Sequence, residues 1–156
     1  MNIVLLQPEI PPNTGNVARL CAATRTTLHL IEPFGFKLDD AQLKRAGMDY
    51  WQQVEWRRWK NWHAFAEKLP AGARLWFIES AGPKLYSEAT FSATDYLVFG
   101  RETAGLPKQL LEQHRESWLR IPMFNAASRS LNLSNCAALV LFEALRQQGF
   151  ASELRH

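Results

Sequence analysis

Two cysteines, four histidines and no long apolar run define what this 156-residue chain does without. Cys21 and Cys136 each fall in an apolar helical pattern, where a small buried thiol is the expected reading. They make no disulfide framework. His29, His63, His114 and His156 are scattered without metal-ligand spacing, so no metal is expected. No stretch approaches the roughly 18 apolar residues that a membrane-spanning helix needs. Met1-Asn2-Ile3 runs straight into an apolar strand, without the basic start and cleavage site of a secretory signal. These absences together predict a cytoplasmic protein with no membrane partner. The common nucleotide signatures are missing too. Gly100 and Gly105 have the spacing of a phosphate-binding loop, but Leu106-Pro107 replaces the Lys-Ser/Thr that such a loop requires. No G-x-G-x-x-G follows the first predicted strand. ATP hydrolysis and Rossmann-type dinucleotide binding therefore lose ground.

What is present reads as one globular domain over residues 1–156, with 47% hydrophobic and 21% charged residues. Apolar runs predict strands at 2–7, 27–31, 74–79, 96–99 and 118–121, with a weak one at 53–57. Helices are expected at 16–24, 61–69 and 131–148, and a short one from Pro107. Another short helix is expected from Asp39 or Asp40 to Gly47. The alternation argues for an α/β fold, a mainly parallel sheet flanked by helices. The prolines of Pro8-Glu-Ile-Pro-Pro-Asn-Thr-Gly15 are expected to exclude helix, leaving Gly15 in a loop and Arg19 one helical turn beyond it. The last helix carries Leu131, Leu133, Ala137, Leu139, Val140, Leu141, Phe142 and Leu145 around most of its girth. Such a helix must be covered on more than one side, and a second subunit at Leu139 and Leu141 is the expected cover.

A net charge of +3 permits a nucleic-acid partner without demonstrating one. Lys44, Arg45, Arg57, Arg58 and Lys60 interleave with Tyr50, Trp51, Trp56, Trp59 and Trp62. This mixture suits single-stranded RNA, and it equally suits core tryptophans beside a solvated basic face. Three loops follow strands, at 13–19, 100–106 and 121–130, and ligands in open α/β sheets gather at the carboxyl ends of strands. Ser130, Asn132, Ser134 and Asn135 crowd one helical turn, where ordinary capping needs a single such residue.

Asn13-Thr-Gly-Asn16 with Arg19 comes first. Phe99-Gly-Arg-Glu-Thr-Ala-Gly-Leu106 follows, and then Ile121-Pro-Met123 with Ser130-Leu-Asn-Leu-Ser-Asn135. In this order they resemble the three motifs of the SPOUT RNA methyltransferases, and the resemblance covers essentially the whole chain. The opening Pro8-Glu-Ile-Pro-Pro-Asn-Thr-Gly-Asn16 and Arg45-Ala-Gly-Met-Asp-Tyr50 resemble the TrmL branch. Members of that branch methylate the ribose 2′-hydroxyl of the wobble nucleotide, C or U, in certain leucine tRNAs. The resemblance implies S-adenosylmethionine as cofactor, a C-terminal trefoil knot, a homodimer and a tRNA substrate, not DNA. By position it implies a cofactor pocket drawn from Ile78, Gly100, Ile121, Met123 and Ser130, with Arg19 as the catalytic arginine. A guanidinium pKa above 12 makes Arg19 a better donor to a developing alkoxide than a base. Asn16, Ser134 and Asn135 are the reserve candidates. Two positions depart from the family pattern: Cys136 stands where alanine is usual, and Phe142 where tyrosine is frequent. The alternatives are the same chemistry on another tRNA or rRNA nucleotide, and a non-catalytic RNA-binding dimer.

Overall fold

A computed structural model describes residues 1–38, 50–151 and 153–154. The helix expected to stop at Gly47, together with Lys44, Arg45 and most of the Arg45–Tyr50 motif, lies outside the described residues. Among the described residues seven strands form one sheet: β1 (Asn2–Leu6), β2 (Thr27–Ile31), β3 (Trp56–Trp59), β4 (Leu75–Ile78), β5 (Lys84–Leu85), β6 (Tyr96–Phe99) and β7 (Trp118–Arg120). Their spatial order is β3-β2-β1-β6-β4-β7-β5, and every pairing is parallel. Four α-helices of the described chain flank it: α1 (Pro11–Thr24), α2 (Trp62–Ala66), α3 (Lys108–Gln113) and α4 (Leu133–Gln147).

The period-two alternation of each strand divides the core. Ile3, Leu5, Leu28, Leu30, Leu97 and Phe99 point to one face, where Val17, Ala18 and Cys21 of α1 and Ala137, Val140, Leu141 and Ala144 of α4 cover them. Val4, Leu6, Ile31, Phe77 and Val98 point to the other face, under Phe65 of α2 and Leu110 and Leu111 of α3. A parallel sheet covered on both faces needs strands that are apolar at every position, which the runs Ile3-Val4-Leu5-Leu6 and Leu97-Val98-Phe99 supply.

Late strands insert between earlier ones. β6 lies between β1 and β4, and β7 lies between β4 and β5. The β4–β5 connection must therefore pass over β7, and it does so at Gly82. A Cβ there would fall 2.4 Å from the Leu119 carbonyl carbon, so the close crossing requires glycine.

The sequence expectations hold for the fold class and for most elements, with four corrections. Helix α1 begins at Pro11, not at Asn16. Proline is tolerated in a first turn because its missing N–H would have no intrahelical partner there, so Pro11 and Pro12 start the helix. Gly15 is accordingly inside the helix and buried. The weak strand lies at Trp56–Trp59, about three residues beyond its expected place, and the two-residue β5 was not anticipated. Leu141 is fully buried against the sheet, whereas Leu139 is 42% exposed, so only the latter is available to a second subunit. The tryptophans of the aromatic segment pack, half-buried, against the core. Trp56 packs on Trp51 at 4.2 Å, Trp59 stacks on His29, and Trp62 meets Phe65 and Phe77. Arg57 and Arg58 stay at the surface, paired with Glu55 and Glu32.

Two polar clusters lock the ends of strands. Asp95 is 1% exposed and accepts from Arg74 Nε at 3.0 Å, Trp76 Nε1 at 2.8 Å and the Ser92 amide at 2.9 Å. Burial pushes its pKa up, but those donors outweigh burial and hold the carboxyl below its usual range. His29 is 3% exposed, and Trp59 Nε1–H donates to its Nδ1 at 3.1 Å. Its Nε2 must then carry the hydrogen that meets Asn2 Oδ1 at 3.2 Å. Protonation of Nδ1 would cost the Trp59 bond.

Burial, reinforced by Arg57, lowers the His29 pKa to about 4. The unfolded chain takes up this proton near pH 6.5, and the folded protein only near pH 4. Stability from His29 is therefore complete above about pH 6.5 and declines by roughly 3 kcal/mol as the pH falls through the folded value. We expect NMR titration to show a neutral His29 ring at pH 5. Urea unfolding midpoints should fall steadily between pH 6.5 and 4; a ring that titrates near 6.5 would contradict this account.

Candidate functional site

The carboxyl ends of the adjacent strands β1, β6, β4 and β7 open on one cleft of about 570 Å³. Its walls come from all three loops singled out in the sequence, with the β4 end as a fourth side. Ile78, Phe99 and Leu133 make an apolar floor. The volume is in the range that binds a small molecule, and strand-end backbone supplies polar groups around the floor.

The 100–105 loop is built to stay in place. Arg101 and Gly105 exchange backbone hydrogen bonds at 3.1 and 2.9 Å, so the loop closes on itself. A Cβ on Gly100 would lie 2.2 Å from the Gly105 carbonyl carbon. The glycine is thus required by the loop's own backbone. A bulky residue there would distort the loop before it filled any ligand space. Glu79, at the end of β4, braces the same loop. Its Oε2 accepts from the Leu106 amide at 3.0 Å, and its Oε1 from the Ser80 amide at 2.8 Å.

Glu102 joins the loops to one another. Its carboxylate accepts from the backbone amides of Glu9 at 2.8 Å and Ile10 at 3.1 Å, and from Asn13 Nδ2 at 3.3 Å. Glu9 answers by accepting from the Thr103 amide at 3.0 Å and its hydroxyl at 2.7 Å. The Thr103 bonds, the hydroxyl first, lower the Glu9 pKa. Asn13 Oδ1 in turn accepts from Asn132 Nδ2 at 2.8 Å. Asn132 is the N-cap of α4, and its Oδ1 accepts from the Ser134 amide at 2.9 Å and from the Ser134 hydroxyl at 2.6 Å. One chain of hydrogen bonds therefore runs from the 100–105 loop through α1 to α4.

Ile78, Gly100, Ile121, Met123 and Ser130 all line the cleft. Ile78 is 7% exposed, while Met123 and Ser130 are open to solvent. Arg19 does not join them. It lies six residues beyond Asn13 on α1, about 9 Å along the axis and well around the helix. Its guanidinium sits over the Tyr50 ring, 5.0 Å from the centroid. Asn16 and Asn135 are exposed and also outside the cleft wall. Cys136 lines the cleft, its thiol pushed up to about 11, chiefly by burial and then by Glu79, so it is no nucleophile. Phe142 is 49% exposed on α4, beside Leu131, Ala138 and Leu139 in a shallow apolar groove. The residues that sequence reasoning missed are Glu79 and Glu102. Both are acids at strand ends beside glycine loops, and that placement was the available signal.

Comparison with known proteins bears on these loops. The model of the SpoU rRNA Methylase family matches residues 1–142. The tRNA (cytidine(34)-2′-O)-methyltransferase of Saccharophagus degradans is 54% identical over 153 residues, covering 96% of this chain and 97% of that protein. Its counterpart in Burkholderia cenocepacia is 51% identical over 151 residues, covering 96% of each. A solved structure concerned with 2-OH methylation of C/U34 on tRNA superposes with a TM-score of 0.89 at 46% identity, over 96% of each chain. An AdoMet-bound rRNA methyltransferase from Sinorhizobium meliloti superposes at 0.81 with 26% identity, over 93% of this chain and 55% of that one. With the match running through all three cleft loops, the chain belongs to the SpoU rRNA Methylase family.

Proposed function

We propose that this protein transfers a methyl group from S-adenosylmethionine to the ribose 2′-hydroxyl of nucleotide 34, C or U, in tRNA, with leucine isoacceptors as substrates in the cytoplasm. The observation that carries the reading is the single cleft walled by all three motifs, in a chain 54% identical to a relative named for that reaction. The cofactor fits the residues present. Ile78 and Ile121 offer apolar surface for a flat ring, and Gly100, Met123 and Ser130 surround it. When bound, the cofactor supplies a methyl already activated on a sulfonium. The protein's share is then alignment of the hydroxyl and management of its proton.

Arg19 is proposed to donate to the ribose oxygen or an adjoining phosphate as charge develops. It does not line the cleft of its own chain, and on this reading it serves the cleft of a second copy. A homodimer provides one, and the groove of Leu131, Ala138, Leu139 and Phe142 on α4 is apolar surface for that association. Insertion of β7 beneath the β4–β5 connection supports the trefoil knot implied by the family resemblance.

Incubation with labelled cofactor and unmodified total tRNA, followed by mass-spectrometric mapping, should find the label on the 2′-oxygen of nucleotide 34. Cofactor binding without transfer to any RNA would favour a non-catalytic RNA-binding dimer. Arg19→Ala should leave cofactor affinity nearly unchanged and slow turnover by at least about a hundredfold, the scale of one lost transition-state donor. Arg19→Lys should recover little, because lysine lacks the planar fork. Near-normal methylation by Arg19→Ala would remove its catalytic role. Leu139→Glu should convert the dimer to monomer in sedimentation velocity without unfolding it, since Leu139 is already 42% exposed in the single chain. A wild-type monomer at micromolar concentration would overturn the dimer.

A further inference from the structure

The charges that line the cleft are used unequally. Glu79 and Glu102 spend their oxygens on main-chain amides, those of Ser80 and Leu106 for the first and of Glu9 and Ile10 for the second. Arg101 and Arg129 line the same cleft, and neither forms an ion pair among the described residues. Arg101 is at least anchored, donating through Nε to Gln7 Oε1 at 2.8 Å. Arg129 has no hydrogen-bond partner among the described residues. Among the charged side chains of the cleft, the unspent bonding capacity is therefore cationic.

The segment that carries Arg129 has a second unusual feature. Every residue from 123 to 132 is exposed, and Phe124 is 98% exposed. One exposed apolar side chain is ordinary on a protein surface. This one stands five residues from an unpartnered guanidinium. It also adjoins a cleft rim where Ile10, Met123 and Leu131 are 41%, 37% and 38% exposed. An exposed aromatic ring and an open guanidinium on one short exposed segment are the groups that hold a single-stranded nucleotide, the ring on a base and the cation on a phosphate.

We propose that residues 123–131 form the RNA-facing wall of the cleft, with Phe124 stacking on a base next to the target nucleotide and Arg129 bonding a backbone phosphate. The inference rests on the RNA methyltransferase reading above. An oxyanion at Arg129 has two possible sources, an RNA phosphodiester or the carboxylate of the cofactor's amino-acid end. Phe124 decides for the first. A side chain that protrudes fully into solvent offers nothing to a ligand seated on the Ile78 and Ile121 floor, and much to a base arriving from outside.

The test measures binding of an unmodified tRNA anticodon stem–loop by fluorescence anisotropy across a salt series, with S-adenosylhomocysteine calorimetry and sedimentation in parallel. Phe124→Ala should weaken RNA binding about tenfold, the scale of one lost base stack, with the salt slope unchanged. Phe124→Trp should keep wild-type affinity. Arg129→Ala should weaken binding and flatten the slope of log K against log salt by about 0.7, the release expected for one phosphate of a single strand. Both alanine variants should bind S-adenosylhomocysteine and sediment as the wild type does. RNA affinity within twofold of wild type for Phe124→Ala would overturn the proposal. So would a loss of cofactor affinity in Arg129→Ala, which would assign the anion to the cofactor carboxylate. Dissociation of the assembly by Phe124→Ala would make that ring a subunit contact and overturn it too. Methyl transfer by the wild type, assayed alongside, reads the enzymatic function separately: its absence with RNA binding intact would remove the reaction and leave the wall standing.

Discussion

The carboxylate of Glu102 is the constraint on which the cleft depends. Glu9 and Ile10 sit where β1 has ended and α1 has not yet begun, so their amides have no ladder or helical partner. Leaving such groups unpaired costs roughly 1–3 kcal/mol each when water is excluded. Glu102 satisfies both, and Glu9 repays the 100–105 loop through Thr103. The two loops are thereby closed on each other, and Asn13 and Asn132 extend the closure to the first turn of α4. Residues over 90 positions apart in sequence are held as one rigid rim, which is what a site that must align two reactants requires.

The sheet makes that rim possible. Parallel strands bring all their carboxyl ends to one edge, and both faces must be buried under helices. Helix α4 serves twice. Ala137, Val140, Leu141 and Ala144 are buried against the sheet, and the opposite stripe of Leu139 and Phe142 remains half open. A helix apolar all round thus divides into a core face and an unpartnered face. The second face and the cleft both begin at Leu131, so anything that covers one adjoins the other.

Polar chemistry is segregated in the same way. His29 and Asp95 are sealed in the interior, each with its bonding capacity filled by neighbours. The acids of the cleft are turned toward backbone amides. What faces outward along the rim is guanidinium, small polar side chains and exposed apolar surface. The tryptophans between 51 and 62, whose mixture with arginine suited RNA on composition alone, pack half-buried against the core.

The sequence by itself determined the fold class, because buried parallel strands need unbroken apolar runs and these are legible in any chain. It also determined which loops make the cleft. Glycines and small polar residues after a strand have few other uses, and Ile78, Gly100, Ile121, Met123 and Ser130, the positions the family resemblance implied, all line that cleft. The tertiary structure alone decided three things. Pro11 and Pro12 start a helix instead of preventing one, since the first turn has no hydrogen bonds for proline to break. Leu139 and Leu141, two residues apart, face about 200° from each other around α4, and only packing decides which of them meets the sheet. The partnership of Glu102 with Glu9, Ile10 and Asn13 was invisible for the same reason. A hydrogen bond across some 90 residues leaves no local pattern, and it exists only once β6 has been inserted beside β1.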